Sequence, residues 1–311
     1  MITKTPRTRR LKSSAHTCYD TDSVEAGRVQ QRLLPGGDPT VTLGEPSQAN
    51  GVRMTGFLDA RRLDGKTAIV TGSGGGIGRG IVHQFVKHGA RVVIVDIDEA
   101  KARTVESELR ELGGQVLRIE CDISIEANCD AIVRQTVERF ETVDILVNDA
   151  YYGPPPQPLE GLPTDEWLRC FAVGPQATFM LSRAVFPHMR DRGGKIINFG
   201  SELSQHPQEG RACYAASKGA IQGFTRALAW EWGRHRINVN CVWPSAETPS
   251  WRRAEAVNPD EMRRVVEVEM AIKRKGDPEM DVGRAVLFLA SEDSDWVTGQ
   301  TLGANGGRTF V

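Results

Sequence analysis

A glycine-dense stretch from Lys66 to Gly80, KTAIVTGSGGGIGRG, constrains the fold of this chain more than any other feature. It opens on the apolar residues 68–70, and beyond its glycines apolar residues recur at helical spacing until Gly89. A short run that is apolar throughout is typical of a strand buried on both faces of a parallel sheet. The stretch therefore predicts a strand, a tight turn and a helix, in that order.

A turn of this kind is suited to binding phosphate. Free backbone N–H groups and the positive end of the helix point at one place, and glycines let the ligand approach the backbone closely. The glycine spacing is T-G-x-x-x-G-x-G and not the common G-x-G-x-x-G, and a glycine-rich surface turn without a ligand is the alternative. We predict a dinucleotide site that includes Gly72, Ser73, Gly76, Ile77 and Gly78.

Asp96 narrows the choice of cofactor. It ends the apolar run 92–95 and lies 18 residues beyond Gly78. An acid at this distance can accept hydrogen bonds from the adenosine ribose hydroxyls, and it repels a 2′-phosphate. No Lys or Arg stands between Ser73 and Ile77, where a cation would attract that phosphate. The sequence therefore predicts NAD in preference to NADP.

Composition and charge exclude several classes of protein. The chain has 311 residues, of which 40% are hydrophobic and 25% charged, as in ordinary globular proteins. Its net charge of −1 gives no case for a nucleic-acid partner, and no apolar run approaches the ~20 residues of a membrane helix. The six cysteines are scattered without a C-x-x-C motif, which is typical of free thiols in a reducing compartment. We expect a cytoplasmic protein without a metal site.

Residues 1–62 differ in composition from the rest of the chain. They are rich in Arg, Thr, Ser, Pro and Gly and show no sustained hydrophobic period, so we expect a disordered or additional N-terminal tail. The tail is basic before Asp20, as in a mitochondrial transit peptide; a solvated basic tail, or a translation start at Met54, is favoured over that alternative. Residues 63–311 are predicted to form one domain that carries both the cofactor site and the substrate site.

Apolar runs and helical patterns alternate beyond the glycine turn. Helices are predicted over 99–112, up to 140, 164–189 and 214–232, and strands over 115–120, 143–147, 195–199, 237–242 and 300–302. Ser124, Thr164 and Asp277 are predicted helix caps. Such alternation indicates an α/β fold, a doubly wound parallel sheet of the Rossmann type with helices on both faces.

Tyr214 and Lys218 form a Y-x-x-x-K pattern. Residues four apart lie on one helix face, and a lysine ammonium beside a phenol stabilises the phenolate and lowers a pKa that starts near ~10. A tyrosine tuned in this way can exchange a proton with an alcohol or a carbonyl, and Ser201 can hold the same oxygen. A solvated helix face is the alternative. The helix follows a predicted strand, however, and ligands bind beyond the carboxyl ends of such strands.

Residues 64 to about 307 resemble the short-chain dehydrogenase/reductase family. The resemblance rests on Thr71-Gly72-x-x-x-Gly76-Ile77-Gly78, Asp96, Asp122-Ile123, Asn148-x-Ala150, Ser201, Tyr214-x-x-x-Lys218, Thr298-Gly299-Gln300 and Asn305-Gly306-Gly307. Ser201 precedes Tyr214 by 13 residues, the usual interval in that family.

The resemblance implies a role for each matching residue. Tyr214 is the general acid/base, Lys218 binds the nicotinamide ribose and tunes the phenol, and Ser201 orients the substrate oxygen. The implied cofactor contacts include Asp122 at the adenine, Asn148 and Ala150 flanking the cofactor, Thr248 at the carboxamide, and Ile123 and Pro244. The family also implies a homotetramer or homodimer, often built on two long helices, and small residues on the second of these helices would permit close contact.

The sequence departs from the family's pattern at three places. The family's N-N-A-G reads Asn148-Asp149-Ala150-Tyr151, and the usual P-G is Pro244-Ser245 with Thr248 one residue early. Gly174 stands where the family has a catalytic Asn that supports a proton relay through Lys218. Because glycine is permissive and Pro175 removes a helical N–H, we also predict a distorted helix there.

A basic segment lies near the predicted substrate loop. Its cations are Arg252, Arg253, Arg263, Arg264, Lys273, Arg274 and Lys275. They would attract an acidic substrate or a phosphate-bearing carrier, but a solvated basic helix face is the favoured interpretation.

The predicted function is NAD(H)-dependent interconversion of a small-molecule secondary alcohol and a ketone. The alternative is a nucleotide-binding or regulatory protein on the same fold with little turnover. Gly174 and Tyr151 favour the alternative, whereas the intact Ser201, Tyr214 and Lys218 argue against it.

Overall fold

The structure, a computed structural model, describes residues 61–310. Its centre is a seven-stranded, all-parallel sheet in the order β3-β2-β1-β4-β5-β6-β7. The strands are β1 Thr67–Thr71, β2 Arg91–Asp96, β3 Val116–Glu120, β4 Ile145–Asn148, β5 Gly194–Phe199, β6 Ile237–Pro244 and β7 Thr301–Ala304. The predicted doubly wound parallel sheet is confirmed.

Helices cover both faces of the sheet. They are α1 Gly76–Lys87, α2 Glu99–Glu111, α3 Glu126–Phe140, α4 Thr164–Phe171, α5 Ala177–Met189, α6 Ala212–Trp232, α7 Pro249–Val257, α8 Pro259–Arg264 and α9 Arg284–Ala290. Neighbouring residues of one strand belong to the hydrophobic cores on opposite faces of the sheet. Val70 lies in the core formed with α1, α2 and α9, and Ile69 lies in the core formed with α3, α5 and α6. A strand buried on both faces has to be apolar throughout, which explains the continuous runs in the sequence.

The strand order reverses between β1 and β4. In doubly wound sheets a crevice opens beyond the carboxyl ends of the strands at this switch point, and ligands bind there. Thr71 and Asn148 end the two strands that flank it, Asp96 ends the next strand, β2, and Ser201 follows β5 by two residues. The sheet therefore gathers residues that are far apart in the sequence at one edge.

Two predicted helix caps are wrong. The helix after Ser124 begins at Glu126 behind Ile125, and the Ser124 side chain caps nothing. Thr164 is the first helical residue and follows Pro163, which has no side chain able to cap. The cap by Asp277 is confirmed, since its carboxylate accepts hydrogen bonds from the N–H groups of Glu279 and Met280, both at 2.8 Å.

The predicted tail, residues 1–62, lies outside the described residues except for positions 61 and 62. Its predicted disorder and the domain boundary at 63 stay predictions. Within residues 61–310, no helix has the length and apolar character needed to cross a membrane.

Candidate active site

A cavity of about 670 Å³ opens at the switch point, beside the glycine turn. Residues from four strand ends line it: Gly72, Gly76 and Ile77 after β1, Asp96 at the end of β2, Asp122 and Ile123 after β3, and Ala150 after β4. Thr248, the N-cap residue of α7, also lines it. We call it the cofactor cavity.

The glycine turn leaves room and donors for a diphosphate. Gly72 has φ of 68°, and a Cβ there would lie 2.8 Å from the Ala150 Cα, so a side chain is excluded. Helix α1 begins behind Gly75, which has no side chain to cap it, and has no acid in its first turn. The N–H groups of Gly76 and Ile77 therefore remain for an anion at the positive end of the helix, whereas the Gly78 N–H donates to the Asp149 carboxylate.

Asp96 sits at the far end of the cofactor cavity and is held by the backbone. Its two carboxylate oxygens accept hydrogen bonds from the N–H groups of Gly74, at 2.8 Å, and Asp98, at 2.9 Å. A Cβ at Gly74 would lie 2.8 Å from the same carboxylate, so a cationic side chain has no space there. Lys101 also lines the cavity, but it is paired with Asp98. The charge at this end is thus net negative.

A second cavity, of about 680 Å³, continues from the first and contains the Y-x-x-x-K pair. Tyr214, Lys218, Ser201 and Pro244 line it, and Asp149 and Thr248 line both cavities. We call it the catalytic cavity. Lys218 is buried, with its Nζ donating to the Phe199 carbonyl at 2.8 Å and lying 5.7 Å from the centre of the Tyr214 ring.

Ser201 and Tyr214 face each other in the catalytic cavity. Ser201 is buried after β5, where its Oγ accepts a hydrogen bond from the Leu203 N–H at 3.2 Å. Burial raises the pKa of Tyr214 above its ordinary value of 10.0, and the hydrogen bond with Ser201 opposes that rise. The prediction of a lowered phenol pKa is thus wrong for the protein alone, because burial outweighs the stabilisation of the phenolate.

Asp149 and Lys218 influence each other's pKa. Burial raises its pKa from 3.8 to about 7, while Lys218 and the Gly78 N–H oppose the rise and Asp96 adds to it. Burial in turn lowers the pKa of Lys218, and the Asp149 carboxylate opposes that change. The two side chains therefore stabilise each other's charged forms between the two cavities.

The family assignment comes from comparison with known proteins. The family model described as Enoyl-(Acyl carrier protein) reductase matches residues 72–309. An L-fucose dehydrogenase from Bos taurus is 39% identical over 249 residues, which is 79% of this chain and 90% of the bovine protein. This chain belongs to the short-chain dehydrogenase/reductase family.

Solved structures agree with that assignment. A 7α-hydroxysteroid dehydrogenase complexed with NADH and 7-oxo glycochenodeoxycholic acid is 35% identical, with a TM-score of 0.75 over 80% of this chain and 96% of that one. A 3-ketoacyl-(acyl-carrier-protein) reductase from Brucella melitensis complexed with NADH is 34% identical, with a TM-score of 0.72 over 80% of this chain and all of that one, 100%. These relatives support an oxidoreductase and not the alternative of a binding protein.

The structure brings most, but not all, of the predicted short-chain dehydrogenase/reductase site residues to the two cavities. Three lie elsewhere. Asn148 is 7% exposed, and its amide donates to Asn198 at 2.9 Å behind the site. Ser73 is buried with its Oγ donating to the Val70 carbonyl at 2.8 Å. Gly78 packs inside the turn, where a Cβ would meet the Gly72 carbonyl at 2.5 Å. These residues shape the turn and the strand ends without lining either cavity.

The structure also adds residues that motif spacing did not reveal. Tyr151 lines both cavities; its ring lies 5.4 Å from the Lys218 Nζ and 6.1 Å from the Tyr214 ring. Its hydroxyl is hydrogen-bonded to the Ser250 Oγ at 3.1 Å, so it links the loop after β4 to α7. Asp149, Ser250 and Arg253 likewise line both cavities. In the sequence, the departure from N-N-A-G signalled residues 149 and 151, and Arg253 stood among the cations of the basic segment, whereas nothing signalled Ser250.

The predicted distortion near Gly174 is confirmed. Residues Ala172–Gln176 form a π-helical turn between α4 and α5, and Gly174 has non-helical backbone angles of φ −83° and ψ −105°. Its carbonyl accepts a hydrogen bond from the Thr178 Oγ1 at 3.0 Å. A Cβ on Gly174 would have the Ser217 Cβ, at 3.8 Å, as its nearest neighbour. There is consequently room for a side chain at this position.

Gly174→Asn is expected to change turnover a few-fold and to shift its pH profile. The new amide would point toward α6 and supply a polar group that could hold water near Lys218, whereas the backbone distortion already exists without it. Turnover measured across pH for the parent and the variant checks this. Gly174→Ala is the matched control, because it adds the Cβ without the amide. Identical rates and profiles in parent and Asn variant would remove Gly174 from proton transfer.

Proposed function

We propose that this chain catalyses the NAD(H)-dependent interconversion of a secondary alcohol and a ketone. The observation that carries the proposal is the convergence of Ser201, Tyr214 and Lys218 in a cavity continuous with the glycine turn and Asp96. A cofactor that spans both cavities has its acceptor end beside the phenol. The family membership of the chain supports the same reaction type.

The side chains divide the work of the reaction. NAD, when bound, supplies the hydride acceptor. Ser201 holds the substrate oxygen, and Tyr214 removes its proton during oxidation or returns it during reduction. Because burial raises the pKa of Tyr214, its phenolate needs positive charge nearby, and Lys218 lies 5.7 Å from the ring. Asp149 supports that charge by opposing the effect of burial on the Lys218 pKa.

The remaining predicted cofactor contacts are proposals about the same site. We propose that Gly76 and Ile77 offer N–H groups to the diphosphate, and that Asp96 accepts hydrogen bonds from the adenosine ribose. Asp122 and Ile123 line the cofactor cavity and are proposed to contact the adenine, and Ala150, Pro244 and Thr248 are proposed to contact the nicotinamide end. The net negative charge around Asp96 favours NAD over NADP.

We further propose a homotetramer or homodimer built on α5 and α6. The small residues Ala216, Ala220 and Gly223 are exposed on α6, and a Cβ on Gly223 would meet nothing within 4 Å. These three residues therefore do not pack against the chain's own sheet, which was the alternative explanation for their small size. Phe179 on α5 is 43% exposed and contacts Phe224 of α6 at 6.4 Å between ring centres. Light scattering of the purified protein measures the assembly.

A cytoplasmic location is proposed from the cysteines. Within residues 61–310 all five cysteines are free thiols, Cys121, Cys129, Cys170, Cys213 and Cys241. Free thiols persist in reducing compartments. Labelling the chain with a fluorescent protein at its C-terminus and imaging it tests the location.

The test of the proposed reaction is a panel of secondary alcohols supplied with NAD to the purified protein. We expect NADH absorbance to rise with at least one alcohol. No change with any alcohol, and none with the corresponding ketones and NADH, would contradict the proposed function.

A further inference from the structure

The basic segment around α7 and α8 contains one cation that differs from the others. Five of its seven cations pair with acids: Arg252 with Glu247, Arg263 with Asp260, Arg264 with Glu261, Arg274 with Asp281 and Lys275 with Glu255. Lys273 donates to the Val268 carbonyl at 3.3 Å. Among the described residues Arg253 has no acidic partner within ion-pair distance, and it alone of the seven lines the cavities.

Arg253 is held in place by neutral groups. Its Nη2 donates to the Ser250 Oγ at 2.9 Å, and Ser250 is hydrogen-bonded to the Tyr151 hydroxyl at 3.1 Å. The Tyr151 ring meets the Tyr214 ring edge to face, with 6.1 Å between their centres. Two hydrogen bonds and one ring contact thus connect the guanidinium to the phenol of the reaction, and its remaining N–H groups are left for a ligand.

A second cation lies near the phenol. Arg211 immediately precedes α6 and lines the catalytic cavity, and its charge lowers the pKa of Tyr214. No ion pair of Arg211 is formed within residues 61–310. Glu202, one of the two acids that line this cavity, pairs with Arg308 at 3.3 Å. Two cations without acidic partners therefore border the catalytic cavity.

We propose that the substrate carries an anionic group, a carboxylate or a phosphate, that Arg253 binds with support from Arg211 while Tyr214 acts on the carbinol. The proposal rests on the proposed function. A guanidinium presents a planar fork of donors that matches carboxylate and phosphate oxygens. Unpaired cations around a cavity raise the local concentration of anions, and they make neutral analogues poorer ligands.

The test compares matched alcohols that differ only in the charged group. The pairs are 3-hydroxybutyrate with 3-hydroxybutyramide, a 7α-hydroxy bile acid with its primary carboxamide, and glycerol 3-phosphate with glycerol. We expect the parent enzyme to show kcat/KM at least about tenfold higher for the anionic member of one pair, as one charge-assisted hydrogen bond would give. The pair that responds distinguishes a carboxylate from a phosphate.

Arg253→Gln should abolish most of that preference by raising KM for the anionic member far more than KM for the neutral member. Arg253→Lys should retain part of it, since the charge remains without the planar fork. Arg252→Gln is the matched control, because Arg252 lies one residue away on α7, pairs with Glu247 and lines neither cavity. Raising the salt concentration should reduce the preference of the parent.

Binding measurements keep this proposal separate from the proposed reaction. Each compound is titrated into enzyme saturated with NADH, and quenching of NADH fluorescence reports binding without turnover. Binding of an anion that weakens about tenfold in Arg253→Gln would support the anion site even if no alcohol were oxidised, and the proposed reaction would then be the part that failed. The anion site would be overturned if the parent bound the anion and the amide with equal affinity. It would also be overturned if Arg253→Gln lost affinity for NADH and kept its preference for the anionic substrate.

Discussion

Tyr214→Phe is expected to reduce turnover by roughly a hundred- to ten-thousand-fold, the range that general acid–base catalysis contributes. The change removes one hydroxyl from a ring in the catalytic cavity, and most predicted cofactor contacts lie around the other cavity. NADH affinity should therefore stay within a few-fold of the parent. The measurement is turnover with the best alcohol of the panel, beside a fluorescence titration with NADH.

Tyr152→Phe is a matched control for this change. Tyr152 also lines both cavities, but its hydroxyl is engaged by Glu166 and Arg169 lies over its ring. We expect its loss to change turnover far less than the loss of the Tyr214 hydroxyl. Full turnover in Tyr214→Phe would remove this phenol from the mechanism, whereas equal losses in both variants would point to a general effect on the cavity.

Asp96→Ala is expected to lower the ratio of kcat/KM with NAD to kcat/KM with NADP by a factor on the order of ten to a hundred. The carboxylate would otherwise bond the ribose hydroxyls and repel a 2′-phosphate, and one charged hydrogen bond is worth ~1.5–3 kcal/mol. The measurement is the ratio of kcat/KM with the two cofactors for parent and variant. A parent that prefers NADP would show that the assignment of Asp96 is wrong.

Asp96→Asn distinguishes the effect of the carboxylate's charge on cofactor preference from the effect of its hydrogen bonds on the shape of the turn. The carboxylate also accepts hydrogen bonds from the Gly74 and Asp98 N–H groups, so removing it also disturbs the turn. An amide oxygen can keep one of those bonds without the charge. We expect the Asn variant to narrow the preference with little loss of NAD turnover. If only the Ala variant narrows it, then the turn and not the charge sets the cofactor preference.

Local patterns explain why so much of this fold could be predicted. Each central strand is apolar throughout because both of its faces are buried, and the turn needs a glycine at position 72 because its φ of 68° lies in the left-handed region. Tyr214 and Lys218 share one face because their spacing is helical. The distortion at Gly174 follows from the proline after it. All of these features depend on residues close in sequence or on burial that the sequence pattern itself records.

Features that depend on direction and surroundings could not be predicted. Asn148 and Ser73 occupy the predicted positions, but their side chains bond to Asn198 and Val70 instead of facing the cavities. The Tyr214 pKa rises because the fold buries the phenol, which its spacing from Lys218 does not reveal. Arg253 differs from most cations of the basic segment because they pair with acids, and the sequence does not reveal these pairs. The motifs thus predicted which residues lie near the site, whereas the contacts of each side chain depend on how the chain packs.

Hydride transfer is tested most directly with the best alcohol of the panel carrying deuterium on its carbinol carbon. We predict that each turnover places one deuterium on the nicotinamide ring of NADH, on a single face, with none released to water. Mass spectrometry and NMR of the isolated NADH measure both. Deuterium recovered in the solvent, or an unlabelled NADH, would contradict direct transfer between the carbinol carbon and the cofactor.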